Sequence, residues 1–208
     1  EIHPSDFEDQ VILNKNQSLA LKCFEKSISI NPNYVPTINN LAGLYHRLHN
    51  SAESLKYSKR ALSLQPNNPI ALNQHAKALV LNDKIDEGIK IFQEICDKNP
   101  DRSDFKANLA TALKEIGEFE ESKKIIDFGF KQNFKILDFF APFASDKANA
   151  LSEEQIQYYR DQLKSDEVNK EDKILISHTF FEYYRNKKDF DESGKFLKMS
   201  NELQYSLR

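Results

Sequence analysis

The chain repeats itself every 34 residues, and that period constrains its fold more than any other feature. Pro32, Pro66 and Pro100 stand 34 apart, each preceded by Asn or Gln (Asn31, Gln65, Asn99). Ala42, Ala76 and Ala110 form a second column, and Tyr45, Leu79 and Leu113 a third. Ala20, Ser54, Gly88 and Ser122 form a fourth, made only of small residues. Self-similarity at a fixed period of 20–50 residues marks stacked-repeat architectures, in which each unit buries its apolar face against its neighbours.

The unit itself is helical. In 35–68, Ile38, Leu41, Leu44, Tyr45 and Leu48 recur at three- and four-residue steps, the spacing of one helix face. After a polar break at Asn50–Ser51, Leu55, Ala61, Leu62 and Leu64 give a second apolar face that ends at Gln65–Pro66. Proline has no amide proton and biases the preceding residue away from helical geometry, so it closes one helix and opens the next. Each unit is expected to be helix, short turn, helix. The small columns let the two axes approach.

This pattern resembles the tetratricopeptide repeat. The family motif reads here as Ile38, Leu41–Ala42, Tyr45, Ser54, Ser58, Ala61 and Pro66. The next copy reads Leu72, His75–Ala76, Leu79, Gly88, Phe92, Ile95 and Pro100. A third reads Lys106, Leu109–Ala110, Leu113, Ser122, Ile126 and Gly129, with Phe134 in place of proline. Ala20, Phe24, Ser27 and Pro32 supply the second helix of an earlier unit. Ser58 lacks the usual aromatic, and Lys106 and Phe134 suggest a frayed final unit. The resemblance implies an all-α, right-handed solenoid with a divergent C-terminal helical cap. Its expected division is a repeat array over 1–136 (partial unit 1–34, units 35–68, 69–102 and 103–136) and a cap over 137–208.

Composition agrees with a globular chain: 39% of residues are hydrophobic and 29% charged. A net charge of −3 lacks the basic excess of a general nucleic-acid binder, so no nucleic-acid partner is expected. No apolar run approaches the roughly 20 residues that cross a bilayer, so no membrane partner is expected. With no cleavable secretory segment either, the expected location is cytoplasmic. Glu1 is not a start methionine, which leaves room for a true N-terminus upstream. Cys23 and Cys96 lie far apart and read as two reduced, packed thiols.

Outside the repeats, Glu1–Asn16 reads as the remains of a first helix, and Gln17–Ile30 as a helix with Leu21, Phe24, Ile28 and Ile30 inward. Turns are expected at Asn50–Ser51, Asn82–Asp83 and Gly117. Phe134, Ile136, Leu137, Phe139, Phe140 and Phe143 crowd a segment that is either a docking patch for a membrane or partner, or a plug over the last repeat. Ser152 and Gln155 form a capping box for a helix to about Lys164. Lys173–Arg185 and Phe190–Tyr205 read as a terminal antiparallel pair, a tetratricopeptide-like helix pair spanning 173–205. Phe181 stands in the alanine column, which predicts looser packing there.

Most signatures of catalysis are missing from the sequence. The five glycines are scattered and form neither a phosphate loop nor a dinucleotide fingerprint, and there is no G-x-S-x-G or H-E-x-x-H. No enzymatic activity, cofactor or metal is expected of this segment. His46 and His49 lie three apart but lack the third ligand that zinc requires. His75 falls in the column of Leu41 and Leu109 and reads as a half-buried packing residue. Asp86–Glu87 and Glu120–Glu121 favour the positive ends of second helices.

The suggestive polar column is Asn40, Gln74 and Asn108, one amide per unit. Side-chain amides both donate and accept, so a ladder of them can pair with the backbone of an extended peptide; alternatively they bond within the repeat. In tetratricopeptide proteins such as the O-linked N-acetylglucosamine transferase, the resemblance implies such a ladder. Asn39, Gly43, His46, Asn73, Lys77, Thr111 and Lys114 complete the candidate partner-binding groove. The expected ligand is a protein or peptide.

A second resemblance concerns Leu151–Arg208, especially Asp189–Ser193 and Ser200–Asn201. It is similar to the repeat region that precedes a sulfotransferase domain in certain bacterial proteins. On that alternative, these residues position a substrate or partner for a catalytic domain beyond residue 208.

Overall fold

The structure, a computed structural model, describes residues 4–131 and 152–207, with side chains described for 17–129 and 152–207. Among these residues there are ten helices and no strand. They are α1 (Pro4–Ile30), α2 (Val35–Arg47), α3 (Ser51–Leu64), α4 (Pro69–Val80), α5 (Ile85–Lys98), α6 (Ser103–Glu115) and α7 (Phe119–Lys131). Three more follow: α8 (Glu153–Lys164), α9 (Lys170–Asn186) and α10 (Phe190–Tyr205). Phe134–Phe143 lies outside the described residues.

The helix ends keep the sequence period. First helices open at Val35, Pro69 and Ser103, second helices at Ser51, Ile85 and Phe119. Pro32, Pro66 and Pro100 each follow a helix end by two residues. Gln65 and Asn99, which precede two of them, leave the helical region at φ −142° and −135°, as proline's ring demands. Asn50, Asn68, Asn169 and Asp189 accept backbone N–H bonds from the first turns of α3, α4, α9 and α10. Ser152 and Gln155 form the expected reciprocal box.

Four corners share one geometry. His49, Asp83, Gly117 and Lys188 take positive φ, and the next amide returns to the carbonyl five residues back: Asn50 to Tyr45, Lys84 to Leu79, Glu118 to Leu113 and Asp189 to Tyr184. This is the Schellman ending, which satisfies orphan carbonyls at the close of a helix. The first corner therefore sits at His49, one residue before the expected Asn50–Ser51, and Ser51 already belongs to α3.

The chain forms two compact units, Glu1–Pro100 with Ala112–Phe119, and Asp101–Thr111 with Glu120–Arg208; the division runs through α6. In the first unit, α2 packs on α3, α4 on α5, α3 on α4, and α2 on α4. Val35, Ile38, Ala61 and Ala71 join three of these helices, with Ile38, Ala61 and Ala71 wholly buried. In the second unit, Ala107, Ala110, Ile126, Tyr159, Ile176, Phe180, Tyr183 and Phe196 form one core. Phe180 is its centre, with ring centroids 4.7 Å from Phe196, 5.9 Å from Tyr184 and 6.4 Å from Tyr159. Arg160 of α8 donates to Tyr184 Oη (3.0 Å) on α9 and to Glu192 Oε2 (2.6 Å) on α10.

Several expectations are corrected. Residues 4–30 form one continuous 27-residue helix rather than a first helix followed by a second. No glycine or proline lies between Ser5 and Asn31 to interrupt its hydrogen bonds. The helix expected from Lys173 begins at Lys170, because the Asn169 side chain caps Asp172 N at 2.8 Å. At Lys106, in the column of large apolar residues, Nζ lies 4.5 Å from the Phe128 ring centroid, so its charge meets the ring face; Phe134, the other mark of a frayed unit, lies outside the described residues. Of the two thiols only Cys96 is packed; Cys23 is exposed.

Candidate functional site

The small columns set how closely paired helices meet. Ser54 Oγ donates to Ala42 O (3.1 Å), Ser122 Oγ to Ala110 O (2.8 Å) and Ser193 Oγ to Phe181 O (3.1 Å), each across twelve residues. At Gly88, a Cβ would stand 2.9 Å from Ala76 O and 2.8 Å from Val80 Cγ2. The terminal pair is therefore as close at this crossing as the first, contrary to the expectation from Phe181. The Phe181 ring lies 5.8 Å from that of His178 and 5.2 Å from the Arg185 guanidinium, and packs half-buried against the core of the second unit.

That close pairing puts first helices side by side. Gly43 on α2 leaves room for the Gln74 amide of α4, whose Oε1 lies 3.2 Å from where a Cβ would project. His46, three residues on from Gly43, lies within electrostatic reach of Lys77, three residues on from Gln74. Burial, then the charges of Lys77, His49 and Arg47, push the His46 imidazole down to about 4, so it is neutral at pH 7. Asn82 Nδ2, which bonds Ser51 O at 3.0 Å and Ala78 O at 2.7 Å, fixes the end of α4 against α3.

The amides are not alike. Asn40 is exposed, Gln74 and Asn108 half-buried, and Asn39 and Asn73 buried at 5% and 6% exposure. Asn39 Oδ1 and Gln74 Oε1 are enclosed and accept no hydrogen bond. Thr111 spends its hydroxyl on Ala107 O of its own helix (2.9 Å). The structure thus brings Gly43 to Gln74 and His46 to Lys77 in the first unit. Asn39, Asn40, Asn73 and Lys114 also belong to that unit, Asn108 and Thr111 to the second.

A pairing between two departures from the motif is visible only in three dimensions. Ser58, wholly buried, donates to Leu55 O at 3.0 Å and meets His75 Nδ1 at 3.1 Å. With its proton given to Leu55, the serine oxygen accepts from the imidazole, which requires the Nδ1–H form. Burial lowers the His75 pKa, so the ring is held neutral. His75 is half-buried as the column predicts.

No group of three or more His, Cys, Asp or Glu residues that suits a metal ion occurs among the described residues. Nor is any described helix long and apolar enough to cross a membrane.

No curated protein sequence matches the chain. Among solved structures, PilW, titled a widely conserved type IV pilus biogenesis factor, aligns at 15% identity over 98% of this chain and 96% of its own, with a TM-score of 0.59. BtubC (BKLC) from P. vanneervenii aligns at 12% identity over 93% of this chain and 90% of its own, with a TM-score of 0.55. At these identities the likeness is one of fold, and it agrees with an all-α helical-repeat class. In sequence, residues 23–56, from within α1 to within α3, match the family model described as tetratricopeptide repeat.

Proposed function

We propose that this chain is a non-catalytic protein-interaction scaffold that holds an extended peptide segment along its first helices, α2 and α4 foremost. One observation carries the reading: on consecutive first helices, Asn39 Oδ1 and Gln74 Oε1 have no donor within the fold. Buried amides ordinarily find partners, and an unsatisfied one costs about 1–3 kcal/mol. A peptide backbone supplies N–H donors at the spacing of successive residues, and rotation of the half-buried Gln74 side chain off Gly43 presents its amide to one. Asn40 stands exposed next to Asn39 on α2. With His46 neutral, Lys77 supplies the charge of this stretch, which favours a segment with an acidic side chain.

Selection from a displayed random-peptide library, followed by titration, tests this reading. The selected peptides are expected to bind the double variant Asn40→Ala/Gln74→Ala at least tenfold more weakly, with helix content unchanged. Equal binding by the variant counts against the ladder.

The alternative, a region preceding a sulfotransferase domain, draws no support from the geometry. Asp189 caps α10, and Glu192 pairs with Arg160 and Lys195, which are local packing duties.

A further inference from the structure

Two departures from the repeat pattern meet between α2 and α4. The column of Gly43 carries Lys77 and Thr111 one and two periods on, so of these three first helices α2 alone leaves its backbone bare there. The amide column holds Asn40 and Asn108 but Gln74, which is longer by one methylene. The longer amide reaches the bare backbone. A Cβ on Gly43 would stand 3.2 Å from Gln74 Oε1 and 3.5 Å from both Cδ and Nε2. Gly43 is buried inside a 13-residue helix, where glycine is a weaker choice than alanine.

Seated there, Gln74 gains packing and forgoes a hydrogen bond. Its amide lies on Gly43, and Oε1 is enclosed with no donor. Turned outward, the oxygen is hydrated and the packing on Gly43 is lost. The two effects oppose each other within one flexible, half-buried side chain, which brings the seated and free rotamers close in energy.

We propose that this contact is a latch on the peptide-holding surface: Gln74 rests on Gly43 when the groove is empty and swings free to pair with a bound peptide backbone. The latch rests on that peptide-holding reading. Gly43 then sets the affinity of the groove, because a surface that is competent in only a fraction of molecules binds more weakly by that fraction. A methyl group at position 43 removes the seat. What it meets is the far end of a flexible side chain, so Gln74 can yield while α2 and α4 stay in place.

The test uses the full chain and a peptide selected from the displayed library. By NMR of the free wild type, the Gln74 side-chain amide protons should show an NOE to the Gly43 α protons that disappears at peptide saturation. Gly43→Ala should bind about three- to tenfold more tightly, the gain expected when the free rotamer passes from a minor to the major population. The gain should vanish in Gly43→Ala/Gln74→Ala, which has no amide to release. A folded Gly43→Ala that binds no tighter, or an NOE that persists at saturation, overturns the latch while Gln74→Ala still weakens binding. If Gln74→Ala binds as the wild type does, or if no peptide is selected, the peptide-holding reading itself falls and the latch with it. Circular dichroism shows whether Gly43→Ala folds; if it does not, the wild-type NOE decides.

Discussion

Ser54 Oγ donates to the carbonyl of Ala42 across 3.1 Å, a bond that ties the backbone of one helix to the side chain of its partner. Ser122 and Ser193 repeat it twelve residues after Ala110 and Phe181. Gly88 takes the same place with no side chain, where Ala76 O and Val80 Cγ2 leave no room for one. Gly88→Ala is therefore expected to destabilise the chain by about 1–3 kcal/mol through overpacking. Gly194, one residue past Ser193, has nothing within 4 Å of an added Cβ. Gly194→Ala should stabilise by about 0.5–1 kcal/mol, since Gly inside a helix carries an entropic cost. Urea midpoints of the two variants check the pair.

The Schellman corners give an opposed pair of expectations. Gly117→Ala puts a side chain at φ 85° and should cost about 1–2 kcal/mol. Lys188→Gly relieves a non-glycine residue at φ 61° and should raise stability by up to about 1 kcal/mol. Thermal melts of both variants decide whether the corners are equivalent.

Ser58 and His75 should behave as a unit. Ser58→Ala leaves the His75 Nδ1–H buried without its acceptor, and His75→Leu removes the donor while restoring the column residue. Each single change costs about 1–3 kcal/mol if a polar group is left unpaired. The double variant should be less destabilised than the sum, by about 0.5–3 kcal/mol of coupling. Strict additivity in a double-mutant cycle would show that the contact carries no energy.

His46 predicts an acid sensitivity. Its pKa falls from 6.5 in the unfolded chain to about 4 in the fold, so between those values the unfolded chain binds more protons. Stability should fall as pH drops from about 6.5 to about 4 and lose nothing further from this group below that. His75, also lowered by burial, acts in the same direction. Replacing His46 by Gln should flatten the loss, and its ring resonances should titrate near 4 by proton NMR.

Much of the array was legible because period and steric demand coincide. A proline after α1, α3 and α5, alanine at positions 42, 76 and 110 and a small residue opposite each alanine are local requirements that leave a local mark. The site was less so. Asn39 and Asn40 are neighbours of identical chemistry, yet one is buried with an unpaired oxygen and the other exposed, a distinction set by the rotation of α2. The Ser58–His75 pair was hidden because each residue, taken alone, is a departure from the motif. At Phe181 residue size does not set helix separation, because the Ser193 hydroxyl reaches the backbone carbonyl, not the ring. The continuity of α1 was missed because a corner was inferred from period alone, in a stretch without the glycine or proline that forces one.

The side-chain amide resonances of Asn39 and Gln74 test the central claim most directly, followed by NMR as a library-selected peptide is titrated into the labelled chain. They are expected to shift saturably with the backbone signal of Gly43, while the amides of the helix-capping Asn68 and Asn169 stay in place. Saturable binding that moves other surfaces and leaves Asn39 and Gln74 unshifted would contradict the account.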